Sequence, residues 1–222
     1  MPVSLIGFVD DNHIFSAITQ MELIKKDGYY PLKAALIIKR PSYLRLELLP
    51  VIGTPDFFLT FTPEKVNIFI PSKKEFYSGR PTSYRLKKFL PWPMDIEEML
   101  MIFTGAYPSL KEENISYRGY REDNLPRLEM TAPSGVSQTV WLGKSNKLLK
   151  LVRRDKTGQE LYTAEYVYAD DVSAIPDKIT ITMADGVTSL TVRYSDVNIE
   201  KATDLSVFDL AAPADVKTII LE

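Results

Sequence analysis

The stretch Ser42-Tyr43-Leu44-Arg45-Leu46-Glu47-Leu48-Leu49 sets Leu44, Leu46 and Leu48 on one side of the chain and Tyr43, Arg45 and Glu47 on the other. Successive side chains of a strand point to opposite faces, so this is a half-buried β-strand. Runs with the same period of two recur on both sides of it, separated by turn residues at the spacing of an antiparallel meander. Upstream, Phe15 to Ile24 leads into Asp27-Gly28, read as a type I′ hairpin because both residues tolerate positive φ, and Tyr30 to Lys39 is the return strand. Downstream, Phe57 to Phe61 and Val66 to Ile70 are apolar on both faces and are joined by Thr62-Pro63-Glu64-Lys65, a type I turn. Two-faced strands need cover on both sides. Further runs, among them Glu75 to Ser78, Ser137 to Leu142, Leu148 to Arg154 and Lys178 to Met183, bring the total to about ten to twelve strands. That is too many for a flat sheet without strong curling or closure.

The alternation breaks once, between Thr82 and Pro108. Ser83 to Leu90 is compatible with a short basic helix that Pro91-Trp92-Pro93 stops. Asp95 then caps a second helix, with Glu98 at the third position completing a capping box and Gly105 placed to end it. Ile96, Met99, Leu100 and Phe103 form an apolar stripe, which Met101 and Ile102 widen around most of the circumference. So short a helix is held by packing rather than by its own propensity. With no linker, compositional step or repeat, the chain reads as a single domain over 1–222 with a helical insertion at 83–105.

Composition removes most enzyme designs. The 222 residues include no Cys and a single His, which excludes thiol nucleophiles, disulfide frameworks and thiolate zinc sites and confines any Ser-His-Asp triad to His13. Twenty-seven Lys and Arg against 29 Asp and Glu give a net charge of −2. There is no general excess of positive charge for nucleic acid or an anionic membrane. Asp10 and Asp11 beside His13 are explained by a surface loop, and the doublets Glu97-Glu98, Glu112-Glu113 and Asp170-Asp171 point their side chains apart. No phosphate loop, HExxH or GxSxG occurs. No apolar run reaches the ~18 residues of a membrane helix. The chain enters strand-like sequence soon after Met1-Pro2, and an export signal upstream of this start is the expectation.

What stands out is apolar surface. A curled sheet with two-faced strands and an almost wholly apolar helix makes either one dry core or a hydrophobic compartment that the helix plugs. From the alternation within each strand, Leu36, Ile38, Leu44, Leu46, Leu48, Leu59 and Ile68 are the candidate lining, and Trp92, Ile96, Met99, Leu100 and Phe103 the candidate lid. Arg40, between Ile37-Ile38 and Pro41, is either a solvated strand end or a guanidinium at the lip of the compartment. Val51 and Ile52, between Pro50 and Gly53-Thr54-Pro55, crown a tight hairpin that either folds back on the sheet or projects toward a bilayer or partner.

Phe15-Ser16-Ala17-Ile18-Thr19-Gln20, the Asp27-Gly28 hairpin and Ile38-Lys39-Arg40-Pro41-Ser42-Tyr43-Leu44-Arg45 resemble the N-terminal half of the LolA/LolB superfamily, the periplasmic carrier and outer-membrane acceptor of bacterial lipoproteins. Pro50-Val51-Ile52-Gly53 is similar to the acceptor's hairpin, Leu90-Pro91-Trp92-Pro93-Met94 to its helical insertion, and Val207-Phe208-Asp209-Leu210-Ala211-Ala212-Pro213-Ala214-Asp215-Val216 to the family's closing segment. The resemblance implies an incomplete antiparallel β-barrel whose concave apolar face is capped by helices, with Arg40 as the lid latch and Val51 and Ile52 as the membrane or partner hairpin. It also implies a monomer that needs no cofactor and binds acyl chains of lipoproteins or another lipid. Its place would be the periplasm, free or anchored to the outer membrane by a lipid preceding Met1, with transient contact to the membrane or a transport partner. Two other functions stay open: a sensor or interaction module of the same fold that binds a protein partner or lipoprotein signal without transport, and a lipid hydrolase with His13 as its only available base, which the composition disfavours.

Overall fold

The computed structural model describes residues 10–81 and 94–221. Its strands are β1 (His13–Lys25), β2 (Gly28–Lys39), β3 (Tyr43–Leu48), β4 (Phe57–Phe61), β5 (Val66–Ile70), β6 (Glu75–Gly79), β7 (Ser116–Glu122), β8 (Leu125–Thr131), β9 (Ser137–Leu142), β10 (Leu148–Arg154), β11 (Glu160–Val167), β12 (Lys178–Met183), β13 (Ser189–Lys201) and β14 (Lys217–Leu221). Among the described residues one α-helix, α1 (Ile96–Phe103), interrupts them. All fourteen strands belong to one sheet in the order β14-β6-β5-β4-β3-β2-β1-β13-β12-β11-β10-β9-β8-β7, so the sheet ends in two edges and does not close. Consecutive strands from β2 to β6 and from β7 to β13 pair antiparallel, β13 lies next to β1 in the order without a hairpin between them, and β14 returns after a long connection to lie parallel to β6. The fold is thus mainly β as expected, with two strands beyond the twelve and one parallel pair.

The chain forms two compact units. One holds Met21–Pro31 and Met101–Arg193. Its strands carry an apolar row, Leu128-Val140-Leu151-Ala164-Ile181-Leu190, in which every residue after Leu128 is buried. The adjacent positions form the opposite row, Tyr120-Arg127-Trp141-Lys150-Glu165. There the Arg127 guanidinium lies 4.6 Å from the centre of the Tyr120 ring and 4.8 Å from that of Trp141, while Glu122 accepts hydrogen bonds from Arg127 and Trp141. Cross-strand pairs of this kind stabilise a sheet without burying a core.

The other unit contains β3 to β6, β14 and the adjoining parts of β1, β2 and β13. One face of it carries Phe58, Phe69 and Phe76, with Phe58 stacked on Phe69 at 6.0 Å between ring centres and Phe76 tilted against Phe69 at 6.5 Å. Beside them runs a polar row, Arg45-Thr60-Asn67-Ser78. This row anchors the segment between β13 and β14: Arg45 Nη1 donates to the Val207 carbonyl (2.8 Å) and Asn67 Nδ2 to that of Leu210 (3.1 Å). Between these anchors Phe208 is buried, its ring 5.4 Å from Tyr43. The two-faced strands therefore receive cover here from the C-terminal segment.

Helix α1 has the ends its sequence specifies. Glu98 N donates to Asp95 Oδ1 (2.8 Å), the capping box, and Gly105 takes φ +74° so that its N–H reaches Ile102 O and that of Ala106 reaches Met101 O. These are the two bonds of a glycine-terminated helix end. The first hairpin differs from its reading. Strand β1 runs to Lys25 and β2 begins at Gly28, so the turn lies on Lys26 and Asp27, and neither Asp27 nor Gly28 has positive φ. Gly28 instead sits within the strand, where a Cβ would come within 3.2 Å of the Tyr30 ring. The missing side chain makes room for an aromatic group, not for a left-handed turn. The basic helix expected over Ser83 to Leu90 and the lid residue Trp92 lie outside the described residues.

Candidate functional site

Residues paired across neighbouring strands share a face. The pairing places Leu36, Leu46, Leu59, Ile68 and Tyr77 in one row from β2 to β6. It places Ile38, Leu44, Phe61 and Val66 in the next row, and Ala34, Leu48 and Phe57 in a third. All seven residues named from the sequence as lining fall in these rows, on the face opposite Arg45 and Asn67. Leu36, Ile38, Leu44, Leu59 and Ile68 are fully buried, while Leu46 and Leu48 are half-buried. Ala34, Phe57, Phe61, Val66 and Tyr77 complete the face and were missed. Their strands were recognised, but only the register between strands tells which side of Phe57–Phe61 or Val66–Ile70 joins it.

Of the lid residues, Ile96, Met99, Leu100 and Phe103 are all buried on α1. The start of α1 is tied to the turn between β2 and β3, where Ser42 Oγ donates to Glu97 Oε1 (2.9 Å). Arg40 occupies the same turn, 7% exposed, with Nε 3.5 Å from Asp11 Oδ1. Burial pushes the Arg40 guanidinium below its ordinary value, and the carboxylates of Asp11 and Asp10 oppose that shift. Asp10 in turn holds His13, Oδ1 to Nδ1 2.6 Å, and this hydrogen bond with that of the Asn12 N–H keeps the Asp10 carboxyl below the usual range. His13 is thus engaged by Asp10. Among the described residues no group of three or more His, Cys, Asp or Glu is placed to hold a metal ion.

The connection from β3 to β4 is the second feature. Its base is fixed by Leu49 N to Lys33 O (2.7 Å) and by Asp56, which accepts from both the N–H and the hydroxyl of Ser72 (2.7 and 2.6 Å). Its crown is bare: Val51 and Ile52 are both fully exposed. The tip does not fold back on the sheet.

An open, mainly antiparallel sheet with one short capped helix is the LolA-like fold. A LolA superfamily protein from Nitrosomonas europaea is similar over 94% of this chain and 96% of its own, with a TM-score of 0.62 at 15% identity. A protein domain from Vibrio parahaemolyticus, assigned to outer-membrane lipoprotein sorting, gives 0.58 at 16% identity over 90% of each chain. A DUF1329 family protein from Desulfovibrio piger gives 0.62 at 10% identity, over 89% of this chain and 90% of that one. No family model matches the sequence, and no curated protein does. Identities of this size carry the fold alone.

Proposed function

We propose that this chain is a non-enzymatic carrier or acceptor, acting as a single domain and a monomer in the periplasm, that holds the acyl chains of a lipoprotein or another lipid against the face formed by Leu36, Ile38, Leu44, Leu46, Leu48, Leu59 and Ile68. The observation that carries the reading is the unbroken apolar row from Leu36 to Tyr77 over five strands. At ~4.8 Å between strands the row is about 19 Å long, a track rather than a point contact. Each CH₂ removed from water contributes ~0.8 kcal/mol, so half an acyl chain supplies several kcal/mol before ordering costs. Because five of the seven side chains are already buried, entry requires displacement of their cover, and the segment 83–105 with Ile96, Met99, Leu100 and Phe103 is the lid that moves. Acyl burial offsets the cost of opening, so ligand selects the open form. Arg40 latches the closed form, and the tip at Val51 and Ile52 contacts the acceptor membrane or a transport partner during hand-over.

Native mass spectrometry followed by organic extraction tests the reading. Protein prepared without detergent is expected to carry lipid, and an empty protein that takes up no fatty-acyl probe overturns it. Hydrogen exchange is expected to show added protection on ligand binding in the segment 83–105, beyond any change in the sheet. Equal protection with and without lipid would make α1 a permanent part of a dry core. Arg40→Lys is expected to hold the lid poorly, since an ammonium lacks the planar five-donor fork. Transfer by both Arg40→Lys and Arg40→Leu at the parent's rate would remove Arg40 from the mechanism. The same burial of the five side chains favours a second reading, a sensor or interaction module that transports nothing, and the empty mass spectrum is its signature.

A further inference from the structure

We infer that β7 pairs with the β7 of a second copy of this chain, antiparallel about a twofold axis at Gly119, and so forms a reversible dimer. Among the described residues β7 ends the sheet and nothing pairs with its outer side. All of its residues are exposed except the half-buried Tyr120. The hairpin fixes which backbone groups point outward. Asp123 (φ 49°) and Asn124 (φ 67°) make a two-residue type I′ turn between Glu122 and Leu125. The pair flanking such a turn exchanges both main-chain hydrogen bonds, and every second pair beyond it does the same. Glu122, Tyr120, Arg118 and Ser116 therefore direct their N–H and C=O groups to β8, whereas Arg121, Gly119 and Tyr117 present theirs to the open edge.

Such an edge recruits another strand unless its side chains oppose it, and like charges are the usual obstacle. Pairing must join outward-pointing residues to outward-pointing residues, and the register centred on Gly119 uses all three: Tyr117 with Arg121, Gly119 with Gly119 and Arg121 with Tyr117, for about six main-chain hydrogen bonds. In that register Ser116-Tyr117-Arg118-Gly119-Tyr120-Arg121-Glu122 complements itself. Each Arg121 faces a Tyr117 on one side of the sheet, while each Arg118 faces a Tyr120 and each Ser116 a Glu122 on the other, so guanidinium meets ring, hydroxyl meets carboxylate and no like charges stand directly opposed. The two Arg118 side chains lie on the diagonal, about 7 to 8 Å apart, and Glu129, paired with each across β8, offsets their repulsion. The groups are available. Arg121 makes no hydrogen bond or ion pair among the described residues, and Arg118 has a ring contact with Tyr120 of its own strand at 5.9 Å. Glu122 serves Arg127 and Trp141 through Oε2, which leaves Oε1 to accept from the partner's hydroxyl. A Cβ on Gly119 would meet nothing within 4 Å, so nothing in the chain itself crowds the axis. One seven-residue edge is smaller than the roughly 1,200 Å² of a stable complex, so the monomer proposed above is the dilute form and the pair forms as concentration rises.

Sedimentation equilibrium of the full chain, from about 1 µM to about 1 mM, is expected to show a mass that rises from one copy toward two. A mass of one copy throughout overturns the inference, and so does growth beyond two, because a twofold contact closes at two copies. Tyr117→Arg sets arginine against arginine twice and is expected to weaken association about tenfold or more. Tyr117→Arg/Arg121→Tyr exchanges the two partners and is expected to restore it, a rescue that general damage to the strand would not give. Weakening without rescue overturns the register. Because the chain contains no Cys, Gly119→Cys introduces a single thiol. It faces its counterpart across the axis with Cα atoms about 5.5 Å apart, inside the range of about 4.4 to 6.8 Å for a disulfide. With oxidised glutathione as the oxidant, Gly119→Cys is expected to give covalent dimer about tenfold faster than Ser116→Cys, whose opposite residue is Glu122. Equal rates for the two variants overturn the inference even where a substitution at Tyr117 disturbs folding.

Discussion

A Leu46→Glu variant is expected to fold and to lose uptake of a fluorescent fatty-acyl probe almost completely. Leu46 pairs with Leu36 on one side and with Leu59 on the other, so it stands inside the apolar row that runs from Leu36 to Tyr77. Both neighbours are fully buried, whereas Leu46 is half-buried. The difference decides the choice of site. A carboxylate at Leu59 would be stripped of water, at a cost of several kcal/mol or conversion to the neutral acid, and the variant would report on folding. At Leu46 the carboxylate keeps part of its hydration in the empty protein and loses it when an acyl chain is laid along the row, so the penalty falls mainly on the complex. At several kcal/mol the affinity falls by a factor of a hundred or more, roughly tenfold for each 1.4 kcal/mol. Uptake is read by probe fluorescence and folding by near-ultraviolet circular dichroism. A folded variant that takes up probe like the parent would remove Leu46 from the binding face and leave the row a structural core.

Alternation alone made much of this face legible. Leu44, Leu46 and Leu48 declare their shared side within one strand, and the separate choices of Leu36, Ile38, Leu59 and Ile68 fell in phase with them because hairpins at residues 40–42 and 62–65 hold the strands in one register. The capping box of Asp95 and Glu98 was equally plain, since its chemistry is contained in four consecutive residues. What stayed hidden was non-local. Val66–Ile70 looked apolar on both faces, and nothing near Asn67 in sequence announces that its amide serves a carbonyl 143 residues away. Strand β14 is five residues long and pairs in parallel with β6 across most of the chain, so it shows neither a hairpin turn nor an alternating pattern.

Phe208→Ala is expected to cost the most stability of any substitution considered, and to do so without touching the apolar face proposed to bind lipid. Phe208 is 1% exposed and packs on Tyr43, on the side of β3 opposite Leu44 and Leu46. Truncating a buried phenylalanine removes its transfer free energy and leaves a cavity, together about 3 to 5 kcal/mol. Against a total stability of ~5 to 15 kcal/mol, that is a large share. The melting temperature is expected to fall by about 10 °C, at the ~2 to 4 °C per kcal/mol of a chain this size. The loss has a further consequence, because the ring sits between the carbonyls of Val207 and Leu210 that Arg45 and Asn67 hold. Without the ring to seat the segment, Arg45 retains Glu47 and Asn67 Oδ1 still accepts from Ser78, while Asn67 Nδ2 exchanges the Leu210 carbonyl for water as the segment loosens, so the sheet is not strained. Acyl uptake per folded molecule should therefore match the parent below the melting transition, since the row from Leu36 to Tyr77 lies on the other face. An unchanged melting temperature would show that the C-terminal segment is not the cover these strands require. Uptake that falls in the fully folded variant would show instead that the two faces of the sheet are coupled, with the C-terminal segment setting the shape of the apolar side through Tyr43 and Arg45.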